Sequence, residues 1–143
     1  MSNFSFWVRW LVVVGWVLVA FGLTMAFLNQ TLAFNMAFNQ WVDPAFWPDG
    51  SIPAELQPFQ AWAYGLVGAT VAGWGVFVLF IVNNPFKNRE RWAWTCMMAG
   101  ITLWFFVDTG LSAYFGVTFN VFFNLAVALL FYVPLAATRS EFK

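Results

Sequence analysis

Asp108 is the one carboxylic acid inside the long apolar runs of this chain, and on a helix it would share a face with Trp104 and Ser112, four residues to either side. Asn120 and Asn124 follow one turn apart in the next apolar run, so a short connection after Tyr114 would carry two amide donors to Asp108 or Ser112. A carboxylate, a hydroxyl and two amides on facing helices can hold a proton, a cation or the polar head of a lipid-like molecule. In hydrocarbon such groups must pair, and each interhelical hydrogen bond contributes about 0.6–2 kcal/mol. Two readings follow. In one, Trp104, Asp108, Ser112, Asn120 and Asn124 line an outward-opening ligand or ion site, the common role of ionisable groups in a membrane. In the other, the polar groups close the ends of two helices.

Other chemistry is poorly provided for. The chain contains no histidine, the usual haem ligand, the commonest metal-ligating side chain and the commonest general base, so no metal site and no cofactor is expected. The single cysteine, Cys96, excludes an intramolecular disulfide and a thiol relay. Asp108 has no second acid beside it, so an enzyme is the less favoured reading unless Asp43, Asp49 or Glu55 folds over to join it. Six basic and six acidic residues cancel, which leaves no field to attract nucleic acid.

The elements that must position these groups are set by composition. The chain is 62% hydrophobic and 8% charged, a balance suited to lipid rather than water. Four apolar runs are long enough to cross a hydrocarbon core, which takes about 20 helical residues. They predict helices over about 7–28, 62–82, 91–114 and 117–137 in a single transmembrane domain, with an outer loop over 29–61. The third helix is continued through Asp108 because stopping at Val107 would leave it too short beside an overlong neighbour. The fold class is therefore all-α, an integral membrane four-helix bundle.

Arg9, Lys87, Arg89, Arg91, Arg139 and Lys143 fall on one side of this layout and Asp43, Asp49, Glu55 and Asp108 on the other. Basic loops stay in the cytoplasm, so both termini are expected there, with the long loop extracytoplasmic. That loop is acidic yet aromatic, and near-helical apolar spacing over 31–42 predicts that it is partly helical and lies on a surface. Functionally the loop could cap the Asp108 patch or present its Trp41, Phe46 and Trp47 for contact with a neighbouring membrane protein. In the second helix Gly65, Ala69 and Gly73 recur every four residues, predicting close packing within the chain or in a homo-oligomer.

The stretch 73–139 carries Gly73-Trp74, Pro85-Phe86-Lys87, Glu90-Arg91-Trp92, Asp108-Thr109 and the pair Asn120 and Asn124. In these features it resembles small four-helix proteins of bacterial inner membranes that have no assigned activity, and loosely the DoxX-like group. The resemblance covers about half the chain and implies a bacterial inner (cytoplasmic) membrane, with no reaction to transfer. The leading expectation is a non-enzymatic membrane protein that binds a lipid or other hydrophobic ligand or serves as an accessory subunit of a membrane complex. Its partners would be membrane lipids and a membrane protein or a second copy. The alternatives are an oligomeric channel or proton- or cation-coupled carrier working through Asp108, and a membrane enzyme acting on a lipid-like substrate.

Overall fold

The computed structural model describes residues 3–142, so Lys143, counted above among the bases, lies outside the described residues. Those residues are helical throughout apart from turns, and four helices are long and apolar enough to cross a membrane. They are α1 (Phe4–Leu28), α3 (Gln57–Ile81), α4 (Arg91–Tyr114) and α5 (Thr118–Thr138). Between α1 and α3 lies α2, which spans 32–42 and contains a π-helical turn at Asn35–Asn39.

Two helices begin earlier than sequence spacing suggests, each for a local reason. The Asn3 side chain accepts from the Phe6 amide and caps α1, which therefore opens at Phe4. Pro58 falls within the outer loop expected over 29–61, yet it sits in the first turn of α3, where a missing N–H costs nothing. Residues 57–61 are accordingly helix rather than loop. Helix α4 runs through Asp108 to Tyr114 and stops at Gly116, whose φ of 74° suits glycine.

Helix α1 packs along α3, α5 packs along both α1 and α4, and α3 and α4 do not pack along their lengths. The order around the bundle is therefore α3, α1, α5, α4, open between the first and last. A contact between the Trp74 and Trp104 rings, 5.8 Å between centroids, bridges that opening.

The α1–α3 seam is the tightest contact. A Cβ at Gly22 would lie 2.4 Å from the Ala72 amide nitrogen, and one at Gly68 would lie 2.5 Å from the Ala26 amide nitrogen. The close stripe on α3 is thus Gly65, Gly68, Ala72 and Gly75: of the expected residues Gly65 borders α1, where a Cβ would lie 3.7 Å from the Ala26 carbonyl oxygen, while Ala69 and Gly73 turn away from it. Ala69 and Gly73 are exposed, and a Cβ on Gly73 would meet nothing within 4 Å. The reason is geometric: at 3.6 residues per turn a strict four-residue step drifts by about 40°, whereas alternating steps of four and three stay on one face.

The hydrophobic core occupies one half of the bundle, the end that holds both termini. Leu11, Val82, Phe86, Ala93, Ile101, Phe131 and Leu135 are almost fully buried there. Pro134 in α5 leaves the Leu130 carbonyl without its usual donor, and the Trp10 indole N–H donates to it at 3.0 Å. The Trp94 indole donates to the Leu135 carbonyl at 2.8 Å. At the tip, the rings of Phe4, Phe86 and Phe142 close together, with Phe86 and Phe142 centroids 4.6 Å apart. Arg89 lies over the Phe4 ring and pairs with Glu141 at 3.1 Å.

Candidate functional site

The opposite half of the bundle is hollow. A cavity of about 470 Å³ lies among α1, α3, α4 and α5 beneath α2. Its walls are mostly apolar and aromatic, with Phe21, Phe38, Tyr64, Val71, Trp74 and Phe123 among them. Trp74, Trp104 and Phe131 meet where the hollow half gives way to the packed one, the rings of Trp74 and Phe131 being stacked at 5.7 Å. They form a floor between cavity and core.

The polar wall is built by α4 and α5. Asn120 and Asn124 each donate from Nδ2 to Asp108 Oδ1 at 2.8 Å. Ser112 Oγ lies 3.2 Å from the same oxygen and 2.7 Å from the Asp108 carbonyl, and Asn120 Nδ2 also reaches Ser112 Oγ at 2.8 Å. Asn124 Nδ2 has a second acceptor in Thr109 Oγ1 at 3.3 Å. The sequence accounts for this register. Asp108 and Ser112 are one turn apart on α4, the Gly116 turn reverses the chain, and Asn120 and Asn124 are one turn apart on α5. Asn124 is almost fully buried and Ser112 is buried, whereas Asp108 keeps partial exposure and borders the cavity.

All five expected residues, Trp104, Asp108, Ser112, Asn120 and Asn124, line the cavity. Further down α4, Cys96 is exposed and a Cβ at Gly100 would meet nothing within 4 Å. Gly100 belongs instead to a shallow groove on the flank of α4, with Leu103 and Val107, and that groove shares Trp104, Asp108 and Leu111 with the cavity. Asp108 therefore stands at the boundary between interior and flank, on the open side of the bundle.

Segment α2 and the turn that follows it, 43–46, form the roof. Phe34, Phe38, Val42 and Phe46 line the cavity from above. Phe38 packs on Phe21, Phe34, Phe119 and Phe123. Trp41 stacks on Phe119 and Phe46 meets Phe115, while both retain exposed faces and Trp47 is half-buried. Of these three loop aromatics, Phe46 borders the cavity and Trp41 and Trp47 do not. The roof is tied to α3 by Gln60, whose Nε2 donates to Asp43 Oδ1 at 2.8 Å. Burial pushes the Asp43 carboxyl above its ordinary value, partly opposed by the hydrogen bonds from Gln60 and the Ile52 backbone.

No family model, curated protein or solved structure matches the chain. Its chemistry is therefore read from the site. Asp43, Asp49 and Glu55 do not line the cavity, so Asp108 is the only acid there. Among the described residues no group of three or more His, Cys, Asp or Glu side chains could hold a metal ion. What the arrangement can do is enclose an apolar body and offer one polar end the Asp108 carboxylate, held in place by the two amides.

Sequence reasoning missed the walls: Phe21, Tyr64, Trp74 and Phe123 are ordinary residues of apolar runs. Spacing alone could not reveal that large side chains are set back from a central space. The Asp43–Gln60 tie was equally hidden, because the two residues lie in different elements and neither belongs to a recurrent pattern.

Proposed function

We propose that this chain is an integral membrane protein that holds a hydrophobic small molecule or lipid-like ligand in the hollow half of its bundle and catalyses no reaction on it. The observation that carries this reading is the cavity of about 470 Å³, apolar on nearly every side and polar at the Asp108 wall. Ligand cavities run to about 300–1,000 Å³ and pair an apolar lining with a few placed polar groups. The unpacked side between α3 and α4 gives such a ligand a route from the bilayer, past Trp74 and Trp104.

Both termini are assigned to the cytoplasm, because Arg9, Lys87, Arg89, Arg91 and Arg139 gather at the end opposite the roof. The hollow half then lies in the outer leaflet, and the exposed faces of Trp41 and Phe46 sit at headgroup level. A bacterial inner membrane fits this one-sided charge. Membrane lipid is the first partner, and the roof aromatics are the surface for any protein partner. A conducting path within one chain is disfavoured by the packed terminal half, where Phe86, Phe131 and Leu135 fill the axis.

Gentle extraction followed by native mass spectrometry tests the reading. The expected result is a bound small molecule that is lost in Val127→Phe, a substitution that fills the cavity from α5 while the helices persist by circular dichroism. A bare wild-type protein that also takes up no added lipophilic probe would sink it.

A further inference from the structure

We infer that the ligand is a single-chain amphiphile with a primary amine head, its ammonium group meeting the Asp108 carboxylate; this rests on the cavity being a ligand site. The first support is how Asp108 is paired. Asn120, Asn124 and Ser112 all converge on Oδ1, and no donor among the described residues falls on Oδ2. One oxygen is fixed in place by the fold and the other is left for something the chain does not provide.

The second support is the missing countercharge. All three donors are neutral, so they orient the carboxylate without cancelling its charge, and Asp108 forms no ion pair among the described residues. The base on its own helix, Arg91, lies at the far end of α4, about 25 Å away at about 1.5 Å per residue. A carboxylate bordered by aromatic and aliphatic walls is costly unless a cation joins it, and the low dielectric that imposes the cost strengthens such a pair.

The ligand's chemistry follows by elimination. A carboxylate or phosphate head would face like charge at Asp108 with no basic side chain to receive it. An alcohol could donate one hydrogen bond and leave the charge unmatched. A primary ammonium supplies both the donors and the charge, and Trp104, one turn along α4 in the cavity wall, adds an aromatic surface that attracts cations. At about 470 Å³ the cavity has room for one acyl chain, and the position of Asp108 at the edge of the flank groove lets a head group arrive along α4 while the chain enters between α3 and α4.

The test compares dodecylamine, dodecanol and dodecanoate, equal in chain length, for binding to the full chain in neutral nanodiscs, with partition into empty nanodiscs subtracted. Because hydrogen bonds to charged groups are stronger than neutral ones, dodecylamine is expected to bind about tenfold tighter than dodecanol, and dodecanoate not measurably. Asp108→Asn should erase the amine preference. Adding Asn120→Asp to that variant, which returns a carboxylate to the same cluster, should restore it. Equal affinity for amine and alcohol, a preference for dodecanoate, or an undiminished amine preference in Asp108→Asn overturns the inference and leaves the cavity reading standing. Failure of all three probes to bind overturns both. If Asp108→Asn does not fold, the wild-type ranking alone decides.

Discussion

Gly22 and Gly68 press backbone against backbone, so an added methyl group there has nowhere to go. Gly22→Ala should cost about 1–3 kcal/mol through forced separation of α1 and α3, whereas Gly73→Ala, directed at open space, should cost nothing or gain slightly from helix propensity. Thermal unfolding in detergent measures both, and equal effects would refute the seam described above. A second residue-scale prediction concerns Arg89, which holds a φ of 59° at a position where a helix usually ends on glycine. Its side chain compensates by pairing with Glu141 and covering Phe4. Arg89→Ala loses those contacts and keeps the strain, while Arg89→Gly loses them and relieves it. The glycine variant should therefore be the more stable of the two by about 1 kcal/mol in the same assay. Asp108 and its asparagines were legible in the sequence because a polar residue in an apolar run stands out. Gly68 and Gly75 were not, because the chain is rich in small residues and only the packed partner distinguishes one stripe from another.

The roof is held down with some reluctance. Its docking buries the Asp43 carboxylate and leaves Asn39 Oδ1 buried without a partner, both unfavourable. Because burial raises the Asp43 pKa, the docked roof is best stabilised when the carboxyl is protonated, below its ordinary value of 3.8. That contribution is lost as the pH rises through the raised value. Hydrogen exchange across 32–56 should accordingly be slower near pH 4 than at pH 7, after correction for intrinsic rates. Asp43→Asn, which still accepts from Gln60, should flatten that dependence; an unchanged pH profile would show that another group controls the roof. The helices themselves were readable from hydropathy, and their ends shifted where Asn3 and Pro58 act through local hydrogen bonding that hydropathy ignores. That α2 covers the site was one of two placements open to it from sequence, since apolar spacing shows that a face is buried and not what it is buried against.

For the molecule as a whole, orientation is open to direct test. In a Cys96→Ser background, a membrane-impermeant thiol reagent applied to intact cells should label Asp49→Cys and not Asn88→Cys; the reverse pattern would invert the assignment of the termini. The bundle is also uneven along its length, with a dense half of interlocked side chains and a hollow half closed on one side only by the meeting of two tryptophans. In mechanical terms it is a pair of tongs, riveted by Phe4, Phe86 and Phe142 at one end, with α3 and α4 as arms that do not pack along their lengths. On the ligand-holding reading proposed above, the residence time of a guest would depend on the separation of α3 from α4, and the survival of the fold on the rivet. Such a protein would exchange its contents without unfolding, and mutations that lengthen the one lifetime need not touch the other.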